Sequence, residues 1–262
     1  MVQTAVTSLT ANAQSLTAGA GSPAFRTDSE MFKHESIATI DESDLVELLL
    51  TDPYWPSRIV NLAGMPDDCK NFGCVSLDGV PPNGAEGDID ILRCPLLRPD
   101  LATAIQVKRI KVSASALSTG QPNKLSGLKK GVEQSNLLAD LGFHQVYFYV
   151  FIVVDSRELN VGKFAFAGST MEIKSLLERE IGMAATALRS TAGLYTCEFT
   201  QPMDDVPLTT GAFGGHLVRL AQQRAQSDEL TKWVAKTIAN VAPVRTESLV
   251  IRSTVPPTDN NP

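Results

Sequence analysis

The sequence predicts an α/β domain that carries an α+β extension toward its C-terminus. Three observations point there. Two short strand-like runs, Asp88 to Leu92 and Ile105 to Val112, lie close together in the chain. A helical stripe of Leu125, Leu128, Val132, Leu137, Leu138 and Leu141 follows them. Then comes Gln145 to Val154, an aromatic and β-branched run that reads as a central strand buried on both faces.

Ordered structure is expected from about Met31. Asp41, Glu42, Ser43 and Asp44 supply cap-type and acidic first-turn residues. Leu45, Val46, Leu48, Leu49 and Leu50 continue them into a helix that Asp52-Pro53 stops. A strand around Cys74 to Leu77 precedes a turn at Pro81-Pro82-Asn83-Gly84. The two charged strands come next, then a small-residue loop from Ser113 to Pro122. The helix Lys124 to Leu141 ends on Gly142 as its cap, and the apolar strand closes the core. The core order is helix, three strands, helix, strand.

The extension reads as a helix from Met171 to about Arg189 capped by Ser169-Thr170, and a strand from Leu194 to Phe199. Two helices are expected at Gly215 to Ala225 and Asp228 to Val241, with a last strand at Glu247 to Arg252. With no long linker in view, residues 31–253 form one domain, its core about 36–154 and its extension 155–253. Residues 1–30, rich in Ser, Thr, Ala and Gly, read as a disordered arm, and 254–262 as a disordered tail.

Of the 262 residues, 43% are apolar and 20% charged, enough for a sizeable core. The net charge of −6 argues against a bulk coating of nucleic acid but leaves room for a local basic groove. Cys69, Cys74, Cys94 and Cys197 form no Cys-x-x-Cys pair, and the three histidines are not spaced for zinc. They read as free thiols of a cytoplasmic protein. No basic and apolar leader is visible, and Val146 to Val154 is too short to span a bilayer, so no membrane partner is expected.

The chemistry lies in the charged strands. Residues two apart share a strand face, so Asp88 pairs with Asp90 and Gln106 with Lys108. If the strands are neighbours, carboxylate, amide oxygen and ammonium converge. Hard oxygens beside a lysine suit a Mg²⁺ ion and phosphodiester hydrolysis. Ile105 and Val107 are apolar on one face, Ile110 and Val112 on the other. A buried central strand that opens into a site at one end has that pattern. From Leu101 through Val132 there are six bases and no acid: Lys108, Arg109, Lys111, Lys124, Lys129 and Lys130. The last five named are the candidate contacts to a phosphate backbone.

The strings GDIDIL and IQVKRIKV, in this element order, resemble the catalytic core of the PD-(D/E)XK, or restriction-endonuclease-like, superfamily. The QVKR variant is similar to that of Mrr-type endonucleases. The resemblance covers about residues 36–154. It implies a mixed central sheet flanked by helices, and a Mg²⁺-dependent deoxyribonuclease in which Mn²⁺ can substitute. It makes Asp90 the metal-binding aspartate, Gln106 the second ligand and Lys108 the catalytic lysine. Asp88 competes with Asp90 as ligand. Glu47 on the first helix matches an additional acidic ligand, with Glu42 and Glu35 as competitors, and Gln134 matches an accessory polar residue. DNA is the implied partner, in restriction, defence or mobile-element biology. Double-strand cutting would require a homodimer or a partner subunit, held through the extension. Because Gln106 replaces an acid, the alternative is a nuclease-fold module that binds without cutting.

Neither a Gly-x-Ser-x-Gly elbow, a Walker loop nor a dinucleotide fingerprint is present, which removes support for hydrolysis by a serine triad and for nucleotide-driven chemistry.

Overall fold

A computed structural model describes residues 41–51, 69–82, 84–112, 116, 122, 125–155, 171–201, 212–241 and 243. Strand β4, Gln145–Asp155, is its centre. Val146, Phe148, Val150, Ile152 and Val154 enter one hydrophobic core, while Tyr147, Tyr149 and Phe151 enter a second on the other face. A strand that is apolar on both sides has to lie between two covered faces.

Around it lie β1 (Cys69–Ser76), β2 (Asp88–Pro95), β3 (Thr103–Val112), β5 (Gly193–Gln201) and β6 (Ala212–Arg219). The six strands form one sheet in the order β1-β2-β3-β4-β5-β6. β3, β4 and β5 run parallel, and antiparallel pairs flank them on both sides. The fold is therefore α/β with a mixed open sheet. Helix α1 (Glu42–Thr51) packs Leu45, Val46, Leu49 and Leu50 on one face. Helices α2 (Gly127–Leu141), α3 (Met171–Ala187) and α4 (Asp228–Asn240) share the other core.

Local chemistry sets these boundaries. α2 ends at Gly142, whose φ of 88° is the left-handed conformation that closes a helix cheaply only in glycine. Ser227 caps α4 by accepting a hydrogen bond from the Leu230 N–H at 3.2 Å. Trp233 Nε1 donates to the Asp78 carbonyl at 3.1 Å, which ties α4 to the β1–β2 loop. The end of α3 is closed from a distance. The Arg219 guanidinium on β6 donates to the carbonyls of Ala185, Leu188, Arg189 and Ala192 at 2.8–3.5 Å.

The sequence order helix, three strands, helix, strand matches the described chain as far as β4. One prediction is corrected. Gly215 to Ala225 is not a helix: Ala212–Arg219 is strand β6, and 220–227 continue without helix. Leu217, Arg219 and Ala221 turn inward while His216, Val218 and Leu220 are exposed, a period of two that the Leu/Val content disguised. A Cβ at Gly215 would lie 1.8 Å from Tyr195 Oη, so close strand packing requires this glycine. The expected arm 1–30, tail 254–262, strand Glu247 to Arg252, cap Ser169-Thr170 and residue Lys124 lie outside the described residues.

Candidate active site

The site forms where two strands part. The β2–β3 ladder consists of Ile91↔Ile105, Leu92↔Ala104 and Arg93↔Thr103, and ends there. β3 continues to Val112 with β4 paired along its other edge. Backbone N–H groups vacated in this way need acceptors, and two carboxylates supply them. The Val107 N–H donates to Asp90 Oδ2 at 2.6 Å, and the Arg109 N–H to Glu42 Oε2 at 3.3 Å. Gln106 Nε2 also donates to Asp90 Oδ2. Lys108 Nζ donates to Glu42 Oε1 at 2.6 Å.

Gln106 and Lys108 sit between Ala104 and Ile110 on the face covered by α2, a polar notch in an otherwise apolar surface. Helix α2 approaches this notch closely. A Cβ at Gly131 would come within 2.6 Å of Lys108 Cγ and 2.4 Å of the Phe148 ring. Gly131 is thus the position that lets the helix lie over the lysine stem.

Burial pushes the Asp90 carboxyl up from its ordinary value to about 6. The Val107 hydrogen bond and the Lys108 charge oppose that rise, while the Glu42 and Asp88 charges add to it. Among the described residues, no group of three or more His, Cys, Asp or Glu side chains could hold a metal. A donor set that includes an amide is a different matter. Gln106 Oε1 is buried with no hydrogen-bond partner, beside a carboxylate whose charge is poorly solvated. Both gain from a hard cation that keeps some of its waters, so Asp90 and Gln106 fit Mg²⁺ or Mn²⁺.

The structure brings Asp90, Gln106 and Lys108 together, as the sequence predicted. Asp88 is exposed at the start of β2, and its charge acts on Asp90. The acid of α1 that meets the lysine is Glu42, whereas the Glu47 side chain lies outside the described residues. Glu42 was recoverable from periodicity: 42, 45, 46 and 49 share one helix face, and the apolar members of that face pack on the sheet. Of the expected backbone contacts, Arg109 is buried and Lys111 half-buried. Lys129 and Lys130 are exposed, with Lys129 4.0 Å from Glu133. Gln134 lies three residues beyond Gly131 and buries an Oε1 that has no partner.

No family model, curated protein or solved structure matches the chain. Among the described residues, no helix is long and apolar enough to cross a membrane.

Proposed function

We propose that this chain is a metal-dependent DNA endonuclease with a restriction-endonuclease-like core, Mg²⁺ being its cofactor and Mn²⁺ a substitute. One observation carries the reading. A buried carboxylate and a buried amide oxygen without a partner lie beside a buried ammonium, where β2 leaves β3. Asp90 and Gln106 would hold the ion, which supplies charge neutralisation and an activated water. Lys108, held by Glu42, presents hydrogen-bond donors beside the pair. It would orient or help deprotonate the attacking water and stabilise charge on the phosphate. Lys129 and Lys130, exposed at the start of α2, would meet the nucleic-acid backbone. The cytoplasm suits its thiols: Cys94 is buried, and that burial pushes its pKa up to about 12.

A second reading draws support from the Gln106–Asp90 hydrogen bond, which closes the pair without a cation, as expected of a module that binds and does not cut. Supercoiled plasmid incubated with Mg²⁺, with Mn²⁺ and with EDTA separates the two. Metal-dependent nicking that disappears in Lys108→Ala establishes the nuclease. Intact plasmid, together with no Mn²⁺ binding by calorimetry, establishes the module.

A further inference from the structure

Cys74 is the only non-glycine residue with positive φ among the described residues, at 49°. L side chains reach this region at a cost, and in mid-strand it is foreign to the pleat. Such outliers persist where the surroundings hold them, and their position is informative. Cys74 is in the middle of β1, directly across from Asp90.

The pairing shows what the outlier does. β1 and β2 match at Phe72↔Leu92 and Gly73↔Ile91, and again at Val75↔Ile89 and Ser76↔Asp88. The pair between them, Cys74 and Asp90, is absent from the ladder. The register is the same on both sides of the gap, so no residue has been inserted, but the facing changes. Phe72 and Val75, three apart, share one core; so do Ile89 and Leu92, while Ile91 enters the other core. Alternation would put residues three apart on opposite faces. Both strands therefore change phase at the Cys74/Asp90 step.

The same step ends the β2–β3 ladder. Beyond Ile91↔Ile105, the Asp90 carboxylate, not a β2 carbonyl, accepts from the Val107 N–H. A side chain in regular alternation stands above or below the sheet and does not replace a ladder acceptor. We propose that Cys74 is a positioning residue, whose left-handed backbone breaks the β1–β2 pleat and turns the Asp90 carboxylate into the gap between β2 and β3. It is the backbone conformation, not the thiol, that acts. This inference rests on the proposed nuclease site for its consequence, but its geometry can be tested without any activity.

The test is a set of full-length variants read in two ways. Gly and Asn accept positive φ, whereas a β-branched residue resists it. Cys74→Gly and Cys74→Asn are expected to keep the hydrogen-exchange protection of the Val107 amide and to bind Mn²⁺ within about threefold of the parent. Cys74→Val is expected to lose Val107 protection by at least tenfold, with the amides of β4 still protected, and to bind Mn²⁺ at least tenfold more weakly. Rescue by the two permissive residues is what a generic packing role would not give. Equal Val107 protection in Cys74→Val overturns the proposal. Should that variant not fold, loss of Val107 protection in Cys74→Gly or Cys74→Asn overturns it instead. A parent protein that binds no Mn²⁺ and cuts no DNA defeats the nuclease reading alone, because the Val107 measurement needs neither.

Discussion

Strands β3 and β4 lie side by side in parallel register from Thr103↔Gln145 to Val112↔Val154, and almost every residue of both is buried. Their contents differ. Where β4 places Phe148 and Val150, β3 places Gln106 and Lys108 opposite them. The apolar strand gains stability from each residue it buries. The polar strand tolerates its groups because β2 departs and lets Asp90 and Glu42 accept what the ladder no longer accepts. Burial alone does not set the composition of a central strand; the availability of partners along its edge does. Apolar burial is concentrated in β4, and buried polar groups in β3.

The sharpest way to break this division is Lys108→Ala. It is expected to reduce plasmid nicking on the order of 10²- to 10⁴-fold while urea unfolding remains cooperative, as measured by initial rates and circular dichroism. The mirror experiment is Phe148→Ala. A fully buried ring removed from the apolar strand should cost about 3–5 kcal/mol in urea unfolding, with the metal affinity of any folded protein retained.

Asp90 sharpens the comparison through pH. Its carboxyl is raised from 3.8 to about 6, so the folded state holds the proton more tightly than the unfolded chain does. Its contribution is present in full below pH 4 and is lost as pH rises through 6. At about 1.4 kcal/mol per pH unit, metal-free protein should be less stable at pH 7.5 than at pH 4 by roughly 2–3 kcal/mol from this group. Asp90→Asn should remove most of that dependence and raise metal-free stability at pH 7.5, with plasmid nicking expected to be lost. Urea titrations at both pH values, with EDTA present, measure it. A smaller effect is expected of Gly131→Ala, whose Cβ meets both strands at once, Lys108 on β3 and Phe148 on β4. Overpacking there should cost about 1–3 kcal/mol and lower cleavage together with stability. A variant that lost cleavage alone would show that α2 bears on the lysine and not on the ring.

Much of this was legible in the chain. Asp90, Gln106 and Lys108 stood out because polar groups interrupt strand-like runs, and a central strand buried on both faces followed from the uninterrupted Val146 to Val154. Glu42 stands at helical spacing from Leu45, Val46 and Leu49 and competed with Glu47 and Glu35 for the acidic role; the Glu47 side chain lies outside the described residues. Strand β6 was hidden, since its Gly214-Gly215 pair and Leu/Val content satisfy a helical template too, and the β5 ladder with the period-two exposure decides for a strand. The phase change at Cys74 had no sequence signal. A cysteine carries no preference for left-handed backbone, so nothing in the residue type announces the positive φ.

The bond set of Arg219 has a consequence for how the chain is assembled. One carbonyl in the last turn of α3, Ala185, and three in the segment after it, Leu188, Arg189 and Ala192, accept from a guanidinium that is translated about thirty residues later. The Asn136 side chain on α2 donates to the Ala187 carbonyl, so the end of α3 is held by an element made before it as well as by β6, made after it. β6 works as a clasp, and a chain truncated before Arg219 would lose this hold together with part of the sheet.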